Sequence, residues 1–194
     1  MFDLQRKTDC VKYILKVAFL SIGVLSISSC VDESAIIKQE ASFFDLKEYF
    51  EEQSEILSQK SKVYKATSID GSRIEKELDD LNFEQELKVF EDSDINKVAW
   101  LDKYQVDSVY NENGNLNQIS YRAIDEKLRT QLLVISYNQN AVDTISIYNN
   151  SSGSVAILKQ YLEYIPSFGY SIRSTQKTTF SKEHVVAVDV RFSK

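Results

Sequence analysis

From Tyr104 to the C-terminus, apolar residues recur at every second position in short runs separated by polar turns. No other feature limits the fold as much. Ile119, Tyr121 and Ala123 alternate with Gln118, Ser120 and Arg122 after an Asn113-Gly114 turn. Leu133, Ile135 and Tyr137 follow the Asp125-Glu126-Lys127 connection, and Ile145 and Ile147 follow Asn138-Gln139-Asn140. Val155, Ile157 and Tyr161 come after a polar turn at 149–153, and Tyr170 and Ile172 after 166–169. His184, Val186, Val188, Val190 and Phe192 close the pattern. A period of two belongs to strands with one buried face. Connections this short suit hairpins and exclude the long crossovers of a parallel sheet. The pattern predicts seven strands in an antiparallel meander.

Ahead of this stretch the period is helical. Phe43, Leu46, Phe50 and Leu57 form one apolar stripe, and Ser42 stands three residues before Asp45 as a loose capping box. Phe83, Leu87 and Phe90 mark a second helix over 81–91. Between them, Val63 to Ile69 favours extended structure and Asp70-Gly71 is a hairpin turn signal. Charge divides along the same line. Residues 30–100 carry 9 Lys/Arg and 18 Asp/Glu, whereas residues 101–194 carry 10 and 9. The expected fold is α+β, with two amphipathic helices and a small hairpin packed on a mostly antiparallel meander sheet of about seven strands. A single domain over 42–194 would be acidic and helical over 42–100 and sheet-forming over 101–194. Two strands, 129–138 and 155–165, are apolar on both faces. Either a second layer covers them, or the sheet curls and Leu132, Val134, Leu158 and Leu162 line its concave face.

The N-terminus speaks about address. Arg6, Lys7, Lys12 and Lys16 precede an apolar run from Val17 to Ile27, the layout of a secretory signal peptide. The uncharged stretch between Lys16 and Asp32 would make a helix of roughly 22 Å, short for a bilayer core of ~30 Å. Ile27-Ser28-Ser29-Cys30 at its end resembles the lipobox of bacterial lipoproteins. The resemblance implies removal of residues 1–29 and diacylglyceryl transfer to the Cys30 thiol. Residues 30–41 would then be a lipidated tether, and the mature chain would hold membrane lipid without a spanning helix. The implied location is the cell envelope, at the outer membrane. Val31-Asp32-Glu33-Ser34 is similar to the surface-export signals of some Gram-negative lipoproteins and equally suits a solvated tether, so the membrane face stays open. Cys10 would leave with the leader and Cys30 would carry lipid, which leaves no thiol for a disulfide.

Catalytic material is sparse. The chain has one His, His184, and no Gly-x-Ser-x-Gly elbow for a nucleophilic serine. One His without a free Cys cannot build a usual zinc site, and no metal or cofactor is expected. Asp92-Ser93-Asp94-Ile95-Asn96 matches the first three ligands of an EF-hand loop, but Lys97 stands where the turn glycine belongs and Lys103 where the bidentate Glu belongs. A helix cap at Asp92 or Ser93, starting a short turn through Trp100, is the better reading. The acidic run from Glu75 to Asp94 reads as a solvated helix side. A formal charge of −6 argues against nucleic acid. Eleven Tyr and ten Phe mostly fill cores and cross-strand pairs, with a minority free to form a platform for sugar or lipid.

These features predict a non-enzymatic envelope lipoprotein that binds or assembles with another envelope component. The alternative is a carrier of an apolar ligand or lipid in a curved-sheet cavity closed by helices. That plan is similar to lipoprotein-localisation factors at the level of architecture alone.

Overall fold

The alternating segments form strands as their period requires, and the hairpin before them joins the same sheet. The computed structural model describes residues 43–59 and 62–193. The expected leader 1–29, Cys30, the expected tether and Ser42 lie outside them. Chain order runs α1 (Leu46–Ser58), β1 (Val63–Ile69), β2 (Ser72–Leu78), α2 (Phe83–Glu91), a short 3-10 turn (Val98–Trp100), β3 (Tyr104–Tyr110), β4 (Leu116–Ala123), β5 (Thr130–Asn138), β6 (Ala141–Ser152), β7 (Ala156–Ile165), β8 (Gly169–Thr178) and β9 (His184–Phe192). The class is α+β, and the sheet has nine antiparallel strands in the order β2-β1-β9-β8-β7-β6-β5-β4-β3.

The strand count corrects the expected seven. β3 to β9 make the meander, and the hairpin extends it because β1 pairs with β9 from Val63↔Phe192 to Ile69↔Val186. This pairing satisfies the backbone of the last strand, which would otherwise be a bare edge. The edge moves to β2, which carries Arg73, Glu75, Lys76 and Glu77 and so resists further pairing. Asp70 seals the junction. Its N–H donates to the Val185 carbonyl at 2.9 Å, and its carboxylate accepts the Val185 N–H at 2.9 Å and lies 2.7 Å from His184 Nδ1. The Val185 N–H and then His184 hold the Asp70 carboxyl below the usual carboxylate range. The turn has φ of 49° at Asp70 and 92° at Gly71, the positive pair that a tight hairpin needs.

Both helices begin slightly later than expected. Asp45 itself caps α1 by accepting the Glu48 N–H at 2.8 Å, and Asn82 caps α2 by accepting the Gln85 N–H at 3.0 Å. The two apolar stripes pack on one sheet face. Phe50, Leu87 and Phe90 are fully buried against Leu133, Ile135, Ile145 and Tyr164. The Phe50 ring lies 4.8 Å from Phe90 and 5.1 Å from Tyr164, the latter edge-on, and each such pair contributes about 0.5–1.5 kcal/mol beyond burial.

Polar straps fix the helices. Glu86 of α2 accepts from Lys65 Nζ of β1 at 2.5 Å and from the Tyr170 hydroxyl of β8 at 2.8 Å. Burial, with the Glu86 carboxylate beside it, pushes the Tyr170 hydroxyl pKa far up. Gln53 of α1 accepts the Tyr164 hydroxyl at 2.7 Å.

Candidate functional site: the open face of the sheet

A strand sends alternate side chains to opposite faces, so the pairing register decides what surface the helices leave uncovered. One cross-strand row of that surface runs Arg122, Leu132, Tyr148, Tyr161, Arg173, Ala187 from β4 to β9. The next runs Val134, Ser146, Glu163, Ser171, Asp189, Ala66 from β5 to β1.

Three adjoining depressions, of about 390, 190 and 410 Å³, follow these rows. The first and second share Glu163 and Ser171, and the second and third share Asp189 and Arg191, so together they form a trough across the strands. Gly169 lies in its middle part with φ of 153°. A Cβ there would meet the Val190 carbonyl oxygen at 1.9 Å, so only glycine lets β8 and β9 approach this closely.

The first depression is built around a stacked pair. The rings of Tyr148 and Tyr161 lie 4.7 Å apart with 21° between their planes, and Tyr161 stays 56% exposed. Leu132 flanks the pair on one side and Arg173 on the other. Arg173 and Glu163 are exposed, and neither makes an ion pair or side-chain hydrogen bond among the described residues. At the other end Arg73 is held by Glu75 at 2.7 Å and Asp189 at 3.2 Å, while Arg191 lies 5.8 Å from the Phe168 ring centroid. Charges of both signs alternate along the trough.

The four leucine and valine positions expected to share a concave face are divided between two faces. Leu132 and Val134 are half-buried on the open face, whereas Leu162, 2% exposed, and the half-buried Leu158 belong to the helix side. One cavity cannot be lined by all four. The space that a ligand would need between helices and sheet is filled by Phe50, Phe90 and Tyr164.

The Asp92 to Asn96 segment is a clasp. Asp92 ends α2 as its C-cap, where the sequence suggested the start of a turn. Asp94 Oδ2 accepts the Leu46 N–H of α1 at 3.1 Å, and Asn96 accepts the Phe43 N–H at 3.0 Å while donating to the Phe44 carbonyl at 3.1 Å. The Ser93 hydroxyl accepts from Asn149 at 2.9 Å, and its carbonyl accepts the Thr130 hydroxyl at 2.9 Å. Asp94 and Asn96 are thus occupied in holding the start of α1 and Asp92 pairs with Lys88 of α2, while Ser93 between them joins the segment to β5 and β6. Among the described residues no group of three or more His, Cys, Asp or Glu is arranged to hold a metal ion. His184 opens β9, exposed and paired with Asp70. The acidic run is mostly solvated, but it is a helix side only from Glu84 on, since Glu75 and Glu77 lie on β2. Glu86 straps α2, and Glu91 is 8% exposed beside Lys88.

Sequence reasoning missed Tyr148, Glu163 and Arg173. Tyr148 and Tyr161 lie equally far from the centre of the β6–β7 turn, and that symmetry was the available sign of a cross-strand pair. No helix among the described residues is long and apolar enough to cross a membrane. Comparison with protein-family models, with curated proteins and with solved structures finds no match to this chain.

Proposed function

We propose that this chain is an envelope lipoprotein, anchored through acylated Cys30, that works as a non-enzymatic binding module with the open sheet face as its contact surface. The division of the sheet carries this reading. Its helix side is closed by large buried side chains, while its other side offers a trough with a stacked tyrosine pair and unpaired charges. The lipobox-like Ile27-Ser28-Ser29-Cys30 supports the anchor. The filled interior favours this role over carriage of an apolar ligand.

Two measurements test it. Metabolic labelling with a fatty-acid analogue should mark the native protein and leave Cys30→Ala unlabelled and released from the membrane fraction. Tyrosine nitration compared between intact envelopes and purified protein should find Tyr161 protected in the envelope, with the similarly exposed Tyr110 of edge strand β3 nitrated equally in both. Equal nitration of Tyr161 in both would remove the contact surface, and an unlabelled native protein would remove the anchor.

A further inference from the structure

We infer that the open-face trough binds an uncharged polysaccharide chain, with one sugar ring seated on Tyr161; this rests on the open face being the contact surface. The trough rejects other ligand classes on physical grounds. A nucleic acid or acidic polymer needs a face of one positive sign, and here Glu163, Arg173, Asp189 and Arg191 alternate in sign. An acyl chain needs an enclosed apolar channel, and this surface is open with charged groups along its length.

A sugar matches what is present. Its axial C–H groups form an apolar patch that suits the electron-rich face of an aromatic ring. Tyr148 stacks on one face of the Tyr161 ring, and 56% of Tyr161 stays exposed, which leaves aromatic surface for a ligand beside Arg173. The equatorial hydroxyls of the same sugar need donors and acceptors beside that ring. Arg173 lies directly across from Tyr161 on β8, and Glu163 is two residues along β7. Neither is engaged by another side chain among the described residues, and bonds to ionised groups are the stronger kind. Extent favours a chain over a single sugar. The trough crosses the strands from β5 to β2, roughly 29 Å at ~4.8 Å per strand.

The test is calorimetric titration of the full acylated protein, held in a detergent without a sugar headgroup. The probes are hexasaccharides of β-1,4-glucan, β-1,3-glucan, β-1,4-mannan and β-1,4-xylan, with oligogalacturonate as the acidic arm. At least one uncharged probe should bind with Kd below about 1 mM. Loss of the platform in Tyr161→Ala should weaken it by about tenfold or more, while Tyr161→Phe keeps the ring and stays close to native. Glu163→Gln and Arg173→Met should each weaken it several-fold, and Tyr110→Ala should not change it. Failure of all four uncharged probes, binding of the acidic probe alone, or full affinity in Tyr161→Ala would each overturn the inference. If Tyr161 is nonetheless protected from nitration in intact envelopes, the contact surface stands and only its ligand class is wrong.

Discussion

The two faces of the sheet are made from the same strands, yet they answer to different physics. On the helix side, Ile145, Leu133 and Tyr164 are fully buried in the core shared with the helices, and the Tyr164 ring meets Phe50 of α1 and Phe90 of α2. Volume and shape there are fixed by packing, and any change is felt as stability. On the open side, Tyr161, Glu163 and Arg173 contribute little to holding the fold, so their identity is free to serve recognition. The contrast teaches where to look in a one-sided antiparallel sheet. The covered face reports how the chain folds, and the bare face reports what the chain meets.

Several substitutions would break or sharpen this contrast. Phe50→Ala removes a fully buried ring from the covered face and should cost about 3–5 kcal/mol, read as a shifted urea midpoint. Gly169→Ala should be comparably damaging, since its Cβ collides with backbone. Glu86→Ala leaves Lys65 and Tyr170 without their partner and should cost about 1–3 kcal/mol by the same measurement. Asp94→Ala removes a cap on α1 and should cost about 1 kcal/mol, while added calcium leaves the Tm of the native protein unchanged. The smallest effect belongs to the open face, where Tyr161→Ala should lose no more than about 1 kcal/mol of stability. A loss as large as that of Phe50→Ala would erase the distinction between the faces.

Alkaline titration separates the covered face in another way. Burial raises the pKa of Tyr49 to about 12 and pushes those of Tyr164 and Tyr170 higher still. A raised folded pKa means these hydroxyls stabilise the fold fully below the unfolded value of about 10. That contribution drains away as pH climbs through the folded values. Near-ultraviolet absorbance should therefore show the buried tyrosines ionising together with loss of circular dichroism, and not ahead of it.

Much of this architecture was legible because strands and helices announce themselves by period. The β1–β2 hairpin could be read from Asp70-Gly71, and both helices from their apolar stripes. Where the hairpin docks could not be read. Its pairing with β9 joins segments at opposite ends of the described fold, and no local pattern encodes such a contact. The division of the expected ligand face has a similar origin. Parity within one strand is visible, as when Leu132 and Val134 oppose Leu133 and Ile135, but parity between strands depends on register. Irregularities between Thr130 and Leu132 and between Ser136 and Tyr137 reset the register of β5 against β6. The trough was hidden for the same reason, since its rows take one residue from each of many strands.

The clasp at Asp94 and Asn96 also sets the mechanics of the domain. Phe43 is gripped by Asn96 and wedged edge-on between Tyr104 and Tyr121, beside the β3 border. A tug on the upstream chain therefore loads this corner first. The opposite border at β2 lies eight strand spacings away, roughly 38 Å at ~4.8 Å each. With that corner fixed, the β2 border would be the part of the domain with the widest arc to sweep.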